Sequence, residues 1–144
     1  MNLSGVTFVI VNSHEGVRSA LSTFLRGKGA IVFVSPDAFD GLTEVKNHKP
    51  DIVISSIRLP KRDGFELLRD IRALGSESGG NVPVIATTIL AQRTDRNRIT
   101  AAGFDGHLDK PFVPNQLLEV IKSLLPLNIR SVKGLKGRGA RFVV

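Results

Sequence analysis

Apolar residues fall into two kinds of run along this chain. Short unbroken runs bounded by polar, Gly or Pro residues occur at Val6–Val11, Ile31–Val34, Ile52–Ile54, Val82–Ile85 and around Gly106–Leu108. They have the length and β-branched content of buried strands. Between them apolar residues recur three or four apart, at Val17, Ala20, Leu21, Phe24 and Leu25, at Leu42 and Val45, and at Leu67, Leu68 and Ile71. That spacing predicts helices with one buried face. Two further helices are marked by punctuation: Thr94–Ala102, closed by Gly103, and Asn115–Leu125, opened by Pro114 and stopped at Pro126. Each strand is thereby followed by a helix. Strands that are apolar on both faces belong in a parallel sheet covered on both sides, so the pattern predicts an α/β, doubly wound sheet of five parallel strands.

Composition narrows this picture without redirecting it. A chain of 144 residues suits one domain. With no cysteine, disulfides, iron–sulfur clusters and thiolate zinc sites are excluded. The opening stretch MNLSGVTFVIVNS has no basic leader, and its apolar run falls far short of the roughly 18 residues that span a membrane. A soluble, cytoplasmic protein is expected, in which the Asn2-Leu3-Ser4 sequon meets no glycosylation. The net charge of +7 is concentrated at one end, because Arg130, Lys133, Lys136, Arg138 and Arg141 fall in a stretch without acids. Residues 1–126 are therefore read as the folded domain and 127–144 as a basic, flexible tail. Only Phe142 interleaves with that charge, so solvation is the stronger reading and nucleic-acid binding is not expected. The stretch LGSESGGN (74–81) reads as a flexible loop. KGLKGRG (133–139) follows no strand and opens no helix, which removes the context of a phosphate cradle.

Chemistry gathers where the strands end. VNSHE (11–15) follows the first strand, SSIRLP (55–60) the third, TT (87–88) the fourth and LDKPF (108–112) the fifth. Ligands of doubly wound sheets bind beyond the carboxyl ends of the strands, so Asn12, Ser13, Ser56, Thr88 and Lys110 should converge on one crevice. Through PDIVISSIRLPKRDGFELL, VPVIATT, AAGFDGHLDKPF and the spacing from Thr88 to Lys110, the chain resembles, over about residues 5–125, the receiver domain of two-component response regulators.

The resemblance implies a flavodoxin-like (βα)5 fold with strand order 2-1-3-4-5. Receivers of this family carry two acids after the first strand to hold magnesium and an aspartate after the third to accept a phosphoryl group. Here Asn12 and Ser13 stand at the acid pair and Ser56 at the phosphoacceptor, with Arg58 in the same loop, while Thr88 and Lys110 match the family's hydroxyl and lysine. The implied protein is a pseudo-receiver with a degenerate pocket, no metal, no cofactor and no catalysis, acting as a protein interaction module in bacterial two-component-type signalling. His107 stands where the family carries a switching aromatic. The face of the fourth helix, fifth strand and fifth helix, with Arg93, Arg96, Arg98, His107, Gln116 and Glu119, is expected to meet an acidic protein partner or a second copy. Pro111 is a candidate for a cis peptide bond.

Each of these residues has a plainer reading. Ser56 reads first as a hydroxyl satisfied by hydrogen bonds. Lys110 is expected to turn to neutral oxygens on Ser56, Asn12 or Thr88, or to a bound anion, because an isolated buried charge is costly. His107 is either half-exposed ring packing or a pH-sensitive switch. His14 and Glu15 supply two ligands without a third, too few for a metal. Two alternatives of function stay open: a nucleic-acid-associated regulator that uses the tail, and a receiver phosphorylated unconventionally on Ser56.

Overall fold

Two alternating sets of strand side chains direct the folding of this chain. In β1 (Thr7–Val11), Phe8 and Ile10 enter one buried cluster while Val9 and Val11 enter another. β3 (Ile52–Ser56) divides Ile52 and Ile54 from Val53, and β4 (Val84–Thr88) divides Ile85 from Val84 and Ala86. With both sets apolar, helices have to cover both faces. The computed structural model describes residues 1–89 and 93–125, and only the backbone of 93–95. It has five parallel strands in the order β2-β1-β3-β4-β5, with β2 (Ile31–Ser35) and β5 (Gly106–Asp109) at the edges. The doubly wound order expected from the sequence is the observed one.

Helices α1 (Glu15–Gly27) and α5 (Pro114–Leu124) close the first face with Leu25, Leu117 and Ile121. Helices α2 (Ala38–His48), α3 (Gly64–Arg72) and α4 (Arg93–Ala102) close the second with Val45, Leu67, Ile71 and Ile99. Full burial of a side chain such as Ile10 or Ile71 stabilises by roughly 1.5–3 kcal/mol, so either layer would be marginal without the other. Among the described residues no helix is long and apolar enough to cross a membrane. The stretch read as a basic tail, 127–144, lies outside the described residues.

The strands differ from the apolar runs in their ends. β4 starts at Val84 instead of Val82, because Pro83 has no N–H for the ladder, although its carbonyl accepts from Val53 N–H at 2.9 Å. It then runs on through Ala86, Thr87 and Thr88. β2, β3 and β5 likewise continue into Ser35, Ser55 with Ser56, and Asp109. Backbone pairing outlasts the apolar run at these carboxyl ends, and that carries polar side chains on strands to the edge where the chemistry lies. β1 starts one residue later than its run, at Thr7, while α4 and α5 each start one residue earlier than expected.

The stretch 74–81 is a correction of another kind. Its composition suggested an open loop, but it holds a 3-10 turn at Ser76–Ser78 and is clamped from α3. Arg72 Nη1 donates to the carbonyls of Gly80 (2.9 Å) and Val82 (2.7 Å), and Nη2 donates to Asp105 Oδ2 (3.0 Å). Asp105 Oδ2 also accepts Val84 N–H at 2.9 Å, so a single guanidinium ties α3 to the entry of β4 and to the turn before β5. Gly80 is needed because a Cβ there would collide with the Leu74 carbonyl. Arg72→Met, which keeps most of the stem and removes the donors, should lower stability by about 1–3 kcal/mol in urea denaturation, as expected when part-buried acceptors lose a charged donor; an unchanged midpoint would show that the clamp is dispensable.

Candidate functional site

Strand register brings the polar residues together. Val11 pairs with Ser55, which sets Asn12 beside Ser56 one step beyond the pair. Ser56 pairs with Thr87, and Ile57 N–H donates to the Thr87 carbonyl at 3.0 Å. Thr88 pairs with Asp109, and Lys110 N–H donates to the Thr88 carbonyl at 2.8 Å. Asn12, Ser56, Thr88 and Lys110 therefore share one edge of the sheet, as the sequence led one to expect. The loop after Ser56 returns tightly. Gly64 lies so close to it that an added Cβ would sit 2.5 Å from the Ser56 carbonyl oxygen, and α3 starts there on a reciprocal cap, with Asp63 Oδ1 accepting Glu66 N–H (2.9 Å) and Glu66 Oε1 accepting Asp63 N–H (3.0 Å).

Within this edge the side chains are satisfied locally. Ser56 is buried and its Oγ donates to the Arg58 carbonyl at 3.1 Å, while Ser55 Oγ donates to the Ser56 carbonyl at 3.0 Å. The Arg58 side chain is exposed, so that residue serves the site through its backbone. Asn12, 2% exposed, uses Oδ1 to accept His14 N–H at 2.9 Å, and its carbonyl accepts from Arg18 Nη1 at 2.7 Å. Ser13 and His14 are exposed.

Of the partners expected for Lys110, the oxygens of Asn12, Ser56 and Thr88 do not receive its ammonium in the described structure. Among the described residues no carboxylate lies within 4.0 Å of its ammonium and no hydrogen bond engages it. Ser56 Oγ and Asn12 Oδ1, two of the oxygens expected to receive it, each bond a backbone group two residues away. Burial lowers the Lys110 pKa from its ordinary value of 10.5. The Lys110–Pro111 bond is cis.

Residues 8–122 match the family model of the response regulator receiver domain. The chain belongs to that family. An uncharacterised 14.6 kDa protein of Leptolyngbya boryana is 32% identical over 120 residues, which cover 83% of this chain and 90% of that protein. The KDP operon transcriptional regulatory protein KdpE of Escherichia coli is 36% identical over 104 residues, 72% of this chain but 44% of KdpE, so the chain matches under half the length of that regulator. Among solved structures, the receiver domain of the sensor histidine kinase PA1611 from Pseudomonas aeruginosa, which holds a magnesium ion in its active site cleft, superposes with a TM-score of 0.75 at 28% identity, over 84% of this chain and 98% of that one. A chemotaxis protein of Vibrio cholerae, at 24% identity, a TM-score of 0.77 and coverage of 85% and 100%, shares the fold. Receiver domains belong to two-component signalling and work through contacts with partner proteins.

The face expected to make such contacts in this receiver domain is divided in the structure. Arg96 Nε lies 3.9 Å from Asp109 Oδ2 and His107 Nε2 lies 4.0 Å from Asp109 Oδ1, which has no hydrogen-bond donor among the described residues. Gln116 is spent on capping α5, its Oε1 accepting Val113 N–H at 2.9 Å, and Glu119 is exposed on the same helix. The Arg93 side chain lies outside the described part of the structure. Arg98 does not join this face. Its guanidinium stacks on the Phe65 ring, 4.2 Å from the ring centre, on the side of α4 that meets α3. Residues two apart on a helix point about 200° away from each other, so Arg96 and Arg98 cannot serve one surface. Asp109 is the residue the sequence reading missed. Its signal was its place in LDKPF, two positions after His107 and thus on the same side of the strand.

The lowered pKa of Lys110 gives this receiver a measurable pH dependence. In the folded state the ammonium is disfavoured relative to the unfolded chain, so between the lowered value and 10.5 the unfolded state binds more protons and stability should rise with pH. Lys110→Met should flatten that alkaline rise while leaving or raising the stability at neutral pH, as read by denaturation across the alkaline range. A steeper rise in the variant would contradict the assignment.

Proposed function

We propose that this receiver domain transmits signals by protein contact and does not take up a phosphoryl group at the end of β3. The observation that supports the reading most directly is the state of Ser56. Its hydroxyl is donated to the Arg58 carbonyl at 3.1 Å, on an edge where positions 12, 13 and 56 carry no carboxylate and Lys110 has no counter-charge among the described residues. A serine needs a neighbouring base or a lowered pKa to attack, and the Ser56 hydroxyl donates to a backbone carbonyl, which cannot take its proton. Nor do these donors fit magnesium, a hard divalent cation that takes carboxylate oxygens, since Asn12 Oδ1 is already held by His14 N–H and Lys110 adds a positive charge. What remains is the scaffold and its surfaces, which is how a contact module works.

Intact mass measured after incubation with acetyl phosphate and magnesium should be unchanged, and an added phosphate mapped to Ser56 would overturn the reading. Melting curves with and without millimolar magnesium should superimpose, because a cation that bound only the folded state would raise the midpoint by mass action. The edge has instead the sign of an anion site. Sulfate titrated to tens of millimolar should move amide resonances near residues 13, 56, 88 and 110, and an absence of shifts would mean that Lys110 stays closed to solutes.

A further inference from the structure

Away from the strand edge, α3 and α4 enclose an open groove of about 610 Å³ with an apolar floor, lined also by Arg69, Arg72 and Arg98 and by Asp63 and Glu66. Phe65, Leu68, Ala101 and Ala102 form the floor. Phe65 is braced from behind by an edge-to-face contact with Phe104, the ring centres 5.7 Å apart at 76°, which fixes its orientation. Arg69 and Arg98 stand on the rim. Arg69 is exposed and Arg98 spends its guanidinium face on Phe65, and among the described residues neither has a carboxylate within 4.0 Å.

The acids that border the groove, Asp63 and Glu66, make no ion pair with Arg69 or Arg98 among the described residues. Asp63 and Glu66 are engaged with each other's backbone N–H in the cap of α3, and Glu66 Oε2 also lies 3.3 Å from Arg62 Nη1. Arg72 at the far end is already bound to Asp105. Two arginines with unused donors thus flank an apolar strip, and a guanidinium laid on an aromatic ring keeps its edge free for a carboxylate.

We infer that this α3–α4 groove is a docking site for an acidic peptide segment of a protein partner, one that lays an apolar side chain against Ala101 and Ala102, beside the Arg98-covered Phe65 ring, while flanking carboxylates reach Arg69 and Arg98. Nucleic acid fits the groove less well, because the one exposed aromatic face is occupied by Arg98 and leaves no base-stacking platform. The inference rests on reading the domain as a contact module. It does not depend on the absence of phosphoryl uptake.

The test uses the full chain and a short synthetic peptide of glutamates around one central leucine. Amide shifts on titration should centre on residues 65, 69, 98, 101 and 102, and binding should weaken with added salt. The double charge reversal Arg69→Glu with Arg98→Glu, at exposed positions, should weaken binding by about tenfold or more, as loss of two complementary rim charges would. Arg98→Gln, which removes charge without reversing it, should fall between. Shifts confined to the Arg96 face or to the basic residues after 126, binding indifferent to the double variant, or tighter binding of a single-stranded oligonucleotide at these same residues would each overturn the proposal. A phosphate adduct in the acetyl phosphate experiment would instead overturn the absence of phosphoryl uptake at the strand edge while leaving the contact-module reading and this result standing, so the two failures are distinguishable.

Discussion

Every feature of this molecule depends on parallel pairing held in one register. In a sheet buried on both faces, a slip of a single residue would exchange Phe8 and Ile10 with Val9 and Val11 and turn each set toward helices shaped for the other. The cost of that exchange locks the strands, and the lock reaches the carboxyl edge without loss. Because Val11 is fixed against Ser55 and Ser56 against Thr87, Asn12, Ser56, Thr88 and Lys110 have no freedom to be elsewhere. The site is a by-product of core packing. Its chemistry can therefore change completely while its geometry stays in place.

That separation explains how the edge accommodates neutral residues. A carboxylate directed outward from a strand end needs a cation to hold it, whereas a serine or asparagine can satisfy itself on the nearest backbone group. Ser56 does so on the Arg58 carbonyl and Asn12 on His14 N–H, each two residues away. Lys110, on the same edge, has no partner in the described structure. Half-buried and uncompensated, it is the one group on the edge whose charge is opposed by its surroundings.

What could be read from the sequence follows the range of each interaction. The fold was legible because alternation along strands and the three-to-four spacing along helices are local patterns, and Pro114 marked the start of α5 to within one residue. The convergence at the edge was legible because parallel topology dictates it. Less visible was the clamp of Arg72 on Gly80, Val82 and Asp105, since a glycine- and serine-rich stretch gives no sign of an arginine reaching into it from the preceding helix. The role of Asp109 was hidden for a similar reason: it stood at the margin of a run read as ending at Leu108, and its neighbours Arg96 and His107 come from two different elements.

Arg96 and Arg98 show what proximity in sequence conceals. Taken together with Arg93 they look like one basic patch, yet the helix sends Arg96 toward β5 and Arg98 onto Phe65 above α3. Each arginine then meets a different electrostatic situation. Beside β5, Asp109 stands as a counter-charge to Arg96, so that face is closer to balance than its arginines suggest. In the groove the acids are tied up in the cap of α3, and Arg98 stays positive against an apolar floor. Exposed apolar surface gains from being covered, and the charge beside it favours a partner of opposite sign. The same two helices that bury Leu67 and Ile99 to hold the sheet thus carry, on their outward edges, the groove inferred to receive a partner.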